Sequence, residues 1–478
     1  MKEKIVINWF RNDLRIQDNL SLFHASKSTP VLCIYIYDES FVSEFLPGSA
    51  SKAWLYRSLV ELDKSLNYHL KVIIGDSKDV FQKLSTCFEV SDVFCNKSYE
   101  PQQIEKDSQI QDYLSEIGIN FNSYNSSLLW DTEKILKNDG TPYRVFTPFY
   151  KKGCLVSGDP RPPLPDLTPN VFQTELLISE LSVLSELIDD DWDKKIKKNW
   201  DVGESAALNQ LDSFLQNGIY NYKDGRNFPD NLNVSRLSPH LHFGEISPNQ
   251  IWYAINENNN ERNVSHFKSE LGWREFSNNL LYFNPDFPTK NFQQKFDNFP
   301  WEFDSEIFNS WKNGTTGIPI VDAGMRELSE TGYMHNRLRM IVGSFLVKNL
   351  LIHWSYGAKW FWECLFDADL ANNSAGWQWI AGSGADAAPY FRIFNPILQS
   401  QKFDPDGTYI KRFVPELSKL PVEFLFSPWE IKESELLKYD FKIGEDYPFP
   451  IIDLKFSRQR ALDAFQKMTT NYRFMKLN

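Results

Sequence analysis

Lys4-Ile-Val-Ile-Asn-Trp-Phe10 and Val31-Leu-Cys-Ile-Tyr-Ile-Tyr37 are two runs of strand-forming residues in which nearly every position is apolar. A strand with one wet face alternates apolar and polar residues. A continuous apolar run suits a strand covered on both faces, as in a parallel sheet. Lys71–Gly75, Asp92–Cys95 and Ile119–Phe121 read as three further strands. Between them Leu55, Leu59, Leu62 and Leu66 recur at helical spacing, and Gln102–Ile117 reads as another helix. Strands alternating with helices predict an α/β domain built on a doubly wound parallel sheet. The first strand runs into Trp9-Phe-Arg-Asn-Asp-Leu-Arg15 without a Gly-rich turn, so a conventional dinucleotide fingerprint is not expected there.

Further along, the pattern loosens. Pro160-Arg-Pro-Pro-Leu-Pro165 fits neither a helix interior nor a central strand, and Asp189-Asp-Asp191 reads as solvated charge. Beyond Trp200 strand signals fade and helical periodicity takes over. Met334, Leu338, Ile341, Phe345 and Leu346 predict one helix, apolar nearly all round and therefore buried. The expected order is an α/β domain over 1–130, a connector laid across the surface over 131–199, and an all-α domain over 200–478.

The 478 residues carry a net charge of −12, which argues against indiscriminate polyanion binding but leaves room for a local basic strip. Aromatic residues make up 15%, so stacking belongs among the candidate modes of recognition. The five cysteines form no C-x-x-C pair and imply neither a disulfide framework nor a metal cluster, which fits a cytoplasmic protein. The N-terminus reads as a strand and not as a signal peptide, and no run of apolar residues is long enough to suggest a membrane span.

Four segments carry chemistry. Asp367-Ala-Asp369-Leu-Ala-Asn-Asn373-Ser-Ala-Gly-Trp377-Gln-Trp379 crowds two carboxylates, amides and two indoles together. On a helix Trp377 and Trp379 lie about 200° apart, so one could face a buried cofactor while the other lines a pocket. A Trp-rich core helix satisfies the same run equally well. Glu270 and Trp273 stand three residues apart and would share a helix face, where they could hold the edge and the face of a planar base. Their bland counterpart is a partly buried Trp beside a surface Glu. Met334-His-Asn-Arg-Leu-Arg-Met340 sets two arginines on an apolar helix, and a buried arginine needs a partner such as Asp367 or Asp369. Ser235-Arg-Leu-Ser-Pro239 reads as an anion site at a helix start or as an ordinary helix cap. His240 and His242 have no further ligand at suitable spacing, so no metal is expected.

Together these residues resemble the photolyase/cryptochrome family, most closely the microbial class I cyclobutane pyrimidine dimer photolyases. The likeness runs almost end to end, through Trp9–Arg15, Ser235–Pro239, Glu270–Phe276, Thr316–Ala323, Met334–Met340, Asp367–Trp379 and Tyr390–Pro396. It implies an N-terminal domain holding a light-harvesting antenna and a helical domain holding FAD, active when fully reduced. Tyr222 and Val234, Ser235, Arg236, Leu237 and Ser238 would contact the FAD phosphates. Val234 stands where the family commonly has threonine. Asn336, Arg339, Asp367 and Asp369 would surround the isoalloxazine, with Asp367 pairing Arg339, Phe267 and Ala368 joining the cofactor set, and Asn373 beside flavin N5. Cryptochromes resemble the pattern with an acid or a cysteine at that last position.

The same resemblance maps Glu270, Trp273, Met340 and Trp379 onto the pocket for a flipped-out lesion. Six-four photolyases carry histidine at the place of Met340. Trp301, Trp354 and Trp377 match the family's electron-transfer chain. Arg226, Asn336, Arg337, Arg392, Gln399 and Lys402 map onto the side facing DNA. The implied partner is ultraviolet-damaged duplex DNA, bound without sequence preference by a monomer. Folate-binding relatives have an Asn-Glu pair where this chain has Gln102-Gln103, which leaves the second chromophore open between a folate and a deazaflavin type.

Overall fold

The computed structural model describes residues 2–27, 30–40, 45–255 and 261–477, the side chains of 471 and 473–477 excepted. Five strands, β1 (Lys4–Phe10), β2 (Val31–Tyr37), β3 (Lys71–Ile74), β4 (Glu89–Asn96) and β5 (Asn120–Tyr124), form one sheet in the order β3-β2-β1-β4-β5. Every pairing is parallel, with Val6 opposite Val31 and Ile7 opposite both Leu32 and Val93. Helices α1 (Leu20–Ala25), α2 (Ser49–Ser65), α3 (Ser77–Cys87) and α4 (Pro101–Glu116) supply the crossovers. Ile5 through Phe10 and Val31 through Ile34 are buried, as strands covered on both faces must be. The doubly wound α/β fold read from the sequence is the observed one. The strand order reverses between β1 and β4, and the carboxyl ends of a parallel sheet at such a point form a crevice.

The chain resolves into two compact units. One comprises Met1–Tyr222, Ser235–Pro285 and Phe366–Ala371; the other Lys223–Val234, Asp286–Leu365 and Asn372–Asn478. The sequence boundaries at 130 and 199 divide the chain by order and stand as our proposed domain limits. Residues 131–199 hold more structure than a surface connector. Tyr143, Phe146, Phe149, Tyr150 and Cys154 are buried. Val31 exchanges hydrogen bonds with the 170–172 segment, so this stretch extends the sheet where β3 does not reach. Asp189 is a helix N-cap for Asp190–Asn199, accepting from the Asp191 N–H at 2.8 Å. Its acidic neighbours lie in the first turn and Lys197 and Lys198 in the last, matching the helix dipole. The acidic run is therefore a helix start and not merely solvated charge.

In the second unit the helix expected from Met334 begins at Asn336 and runs to Ser344, followed by a wider turn at Phe345–Asn349. Met334 precedes it. His335 is the N-cap, its Nδ1 accepting from the Arg337 N–H at 3.1 Å. His353 caps the Trp354–Cys364 helix in the same way through Ser355. The Thr316–Ala323 motif has a structural role. Buried Asp322 accepts from the Thr316 N–H at 2.7 Å, the Thr316 hydroxyl at 2.6 Å, the Gly317 N–H at 3.0 Å and the Tyr447 hydroxyl. Gly317 has φ +74°, and a Cβ there would fall 2.4 Å from the Phe449 carbonyl, so no other residue fits without a shift. No helix among the described residues is long and apolar enough to cross a membrane.

Candidate functional site

In the sheet-bearing unit the Glu261–Phe283 helix carries the Glu270–Phe276 motif. Trp273 is half-buried, and one face of its ring stacks on Phe146 with centroids 3.9 Å apart and planes 9° apart. Glu270 lies one turn earlier, with His266 Nε2 3.7 Å from its Oε1, a neighbour the sequence reading missed. The rest of the motif is scaffold. Glu275 is buried and accepts from the backbone of Leu129 at 3.0 Å and Trp130 at 3.3 Å, and Arg274 donates to the Ser127 carbonyl at 2.6 Å. Burial pushes the Glu275 carboxyl up to about 7. A Cβ on Gly272 would meet the Tyr150 ring at 2.6 Å, so this glycine is what lets the two pack.

The phosphate-binding expectation falls on residues of the same unit, Val234 excepted. Tyr222 is buried edge-to-face against Phe267, centroids 5.0 Å apart. Gln210 donates to the Ser235 carbonyl at 2.8 Å. Arg236 adopts a left-handed φ of +52°, a conformation that costs a non-glycine residue about 1–3 kcal/mol and is found where a site needs it. Its guanidinium sits 4.1 Å from the Trp200 ring centroid. The helix that follows starts at Ser238 with Leu237 as its N-cap and no side-chain cap bond, so the serines are not the cap the sequence suggested. His240 joins a buried network instead of a metal. Its Nδ1 pairs with Glu245, which also takes the Ser58 hydroxyl and, at 3.1 Å, the Trp54 indole N–H.

Asp367 and Ala368 are buried, and Asp369 Oδ2 lies 4.0 Å from His242 Nδ1. Desolvation holds the His242 imidazole below its ordinary range. A cavity of about 110 Å³ opens among Arg11, Asn96, Tyr99, Glu100, His242 and Asp369, at the strand-order reversal between β1 and β4. Burial, with the Asp369 carboxylate beside it, raises Glu100 to about 7. Gln103 is engaged with Asp107 at 3.0 Å, and Asp107 in turn holds Arg11 at 2.5 Å. The sequence reading singled out Gln102-Gln103 but not this cavity. The switch-point rule applied to the strand order would have found it.

In the helical unit, Arg226, Arg337 and Lys402 gather from distant stretches. Arg337 bonds the Asn227 side chain and stands 4.3 Å over the Phe403 ring, with Lys402 5.2 Å from the same ring. Arg226 and Arg337 both repel a proton from buried His335, which desolvation chiefly holds down at about 3. Arg337 also reaches Met340 Sδ at 3.8 Å. Asn336 and Arg392 are exposed and Gln399 is half-buried. Arg226, Arg337 and Lys402 thus concentrate positive charge locally although the net charge is −12. Arg339 Nε donates to the Met334 carbonyl at 2.8 Å, and Asn373 donates to the Ala358 carbonyl at 3.0 Å.

The three expected electron-transfer indoles also lie in this unit. Trp301 meets His353 edge-on at 5.1 Å, and His353 meets Trp354 at 5.2 Å, so an imidazole stands between the outer two. Trp354 and Trp377 are both buried, and Trp379 is half-buried on the same Leu370–Ala381 helix. Trp377 lies against Gly357 so closely that a Cβ there would fall 2.1 Å from its ring. Trp311, which the sequence reading did not single out, meets Trp377 at 6.2 Å. Trp354 donates its indole N–H to Asn291 at 2.8 Å, whereas the buried Trp377 N–H makes no hydrogen bond among the described residues.

Residues 6–167 match the family model for DNA photolyase, and residues 267–467 that for the FAD binding domain of DNA photolyase. Over 475 residues the chain is 41% identical to the deoxyribodipyrimidine photo-lyase of Agrobacterium fabrum, covering 97% of this chain and 98% of that one. The chain belongs to the photolyase/cryptochrome family. Cryptochrome-1 of Arabidopsis thaliana is 34% identical, covering 97% of this chain and 70% of its own length. A bacterial class III photolyase from Agrobacterium tumefaciens shares the fold with a TM-score of 0.90 at 40% identity, with 98% of each chain covered. These relatives carry the family and not the class I subdivision read from the sequence.

The photolyase FAD fits the residues present. Arg236, Tyr222 and the hydroxyls of Ser235 and Ser238 suit an anionic pyrophosphate. In the sheet-bearing unit Asp367 and Asp369, and in the helical unit Asn336, Arg339 and Asn373, are acceptors and donors of the kind that the edge of an isoalloxazine requires.

Proposed function

We propose that the protein reverses cyclobutane pyrimidine dimers in DNA under light, acting on a dimer flipped out of the duplex. The observation that carries this reading is the half-buried Trp273 indole, backed by Phe146 at 3.9 Å, with the Glu270 carboxyl one helical turn away. A base stacked on such an indole gains roughly 1–3 kcal/mol. Glu270 would meet the hydrogen-bonding edge of the dimer, and Met340 and Trp379 would keep its surroundings apolar.

Fully reduced FAD, when bound, supplies the light-excited electron that splits the cyclobutane ring and afterwards returns. The chain's own residues orient, shield and relay. By the family resemblance Asp367, Asp369, Asn336 and Arg339 would hold the ring system, and Asn373 would offer it an amide that can accept or donate. Trp301, Trp354 and Trp377 pass electrons inward when the cofactor has been oxidised. Arg226, Arg337, Arg392, Gln399 and Lys402 grip phosphates, so affinity falls steeply with salt and varies little with sequence. Residues 1–130 form the antenna domain, with a folate- or deazaflavin-type chromophore.

The test is blue illumination of the FAD-loaded protein with a dimer-containing duplex. Intact pyrimidines should reappear, and Trp273→Ala should weaken dimer binding about 10-fold while flavin content is unchanged. A flavin-loaded protein that repairs nothing would sink the enzyme reading in favour of a cryptochrome-type receptor. Preference for single-stranded substrate would point instead to a DASH-type photolyase.

A further inference from the structure

Lys348 is only 2% exposed, on the turn that follows the Asn336–Ser344 helix. Its Nζ donates to the Arg392 carbonyl at 2.9 Å and stands 5.4 Å from the Tyr390 ring centroid. One turn earlier the Ser344 hydroxyl accepts from the Phe394 N–H at 3.4 Å. Two side chains of one helical segment thus pin the 390–394 stretch, whose Arg392 side chain is exposed. Among the described residues no carboxylate pairs with Lys348. The charged groups around it are cationic or already engaged. Arg392 lies above, and Arg460 donates to the Asn349 carbonyl at 2.8 Å and is paired with Glu302 at 2.9 Å. Burial keeps the Tyr390 phenol neutral. Burial first, then the charge of Arg392, lowers the Lys348 ammonium to about 7.

A buried cation without a counterion is costly, and methionine would fill the same space. The arrangement makes sense if the missing anion arrives with the ligand. We propose that Lys348 is a positioning residue of the DNA-binding face, which holds Arg392 toward a backbone phosphate and takes up one proton from solvent as that phosphate binds. This rests on the reading that Arg392 faces DNA. A phosphate near Arg392 favours the protonated lysine, so binding above neutral pH consumes a proton.

The experiment measures affinity of the FAD-loaded protein for a dimer-containing duplex at fixed salt from pH 6.5 to 8.5. Wild-type affinity should fall about 10-fold across that window, at no more than one decade per pH unit for a single proton. Lys348→Met should bind at every pH about as wild type does at pH 8.5. Calorimetry in two buffers of different ionisation heat should show proton uptake at pH 8 in wild type and none in the variant. Flavin content and a melting temperature at or above wild type would exclude misfolding of Lys348→Met. A variant that keeps the wild-type pH slope, or a wild type that is flat across the window, overturns the proposal. Arg392→Ala separates the two readings: weakened binding at all pH supports the DNA face, and unchanged binding overturns that face itself.

Discussion

In β1 every side chain from Ile5 to Phe10 is buried, and the neighbouring β2 is buried almost throughout. The helical unit is organised differently at its critical points. Its helices at Asn336 and Trp354 each start from a histidine whose ring nitrogen accepts a backbone N–H, and Asp322 collects four hydrogen bonds in a buried turn. The sheet sets backbone positions by a ladder of pairings that many apolar residues would satisfy. The helical unit sets them by single polar groups, each with its own partners. Functional side chains held in the second way are placed more specifically and have less redundancy behind them.

The sharpest test of that contrast is truncation on each side. Ile34→Ala in the sheet core should cost roughly 2–5 kcal/mol, a loss shared among neighbours that can partly collapse. Equilibrium denaturation measures it, and a cost below 1 kcal/mol would mean that the sheet too depends on something other than packing. Asp322→Ala should cost about 3 kcal/mol, because it strands buried donors of Thr316, Gly317 and Tyr447 without a partner. An apolar swap that proved neutral there would remove the basis for the comparison.

The smallest expected effect is the pH response of the histidine cap. The His335 imidazole stays neutral in the folded chain to about 3, held there by burial and three nearby arginines. Its ordinary value in the unfolded chain is near 6.5. Its contribution is therefore complete above about pH 6.5 and is lost progressively as the pH falls, on the order of 2 kcal/mol between pH 7 and pH 5. His335→Asn keeps a cap acceptor that does not titrate. The stability of wild type relative to His335→Asn, read from the two proteins' unfolding curves, should fall toward acid, and a pH-independent difference would overturn this.

The sequence made the sheet legible because burial on both faces writes itself as continuous β-branched and aromatic runs. The strands at Lys4–Phe10 and Val31–Tyr37 have the bounds read from the sequence. The helix placed at Met334 begins two residues later because His335 is its cap, and histidine is not a residue whose presence announces a helix start. Asp189 was an ordinary cap hidden inside a charge run. The 131–199 stretch looked superficial because its prolines mask the buried Phe146, Phe149 and Tyr150. At the candidate site, residue types exposed the indoles and the carboxylates. The Phe146 backing of Trp273, the His266 neighbour of Glu270 and the Lys348 anchor depend on contacts across the chain that no local pattern encodes.

Trp377 is wedged against the backbone at Gly357, and its indole nitrogen touches no acceptor among the described residues. An indole stripped of an electron becomes strongly acidic at that nitrogen, but acidity has no outlet without a base in reach. If Trp377 relays electrons as proposed, a hole arriving on it finds no protein acceptor for that proton among the described residues and is expected to move on as charge alone. Its clamped surroundings have little freedom to rearrange and trap it there. Transient absorption would register a protonated indole radical at this position, and a deprotonated one would mean that water reaches the ring.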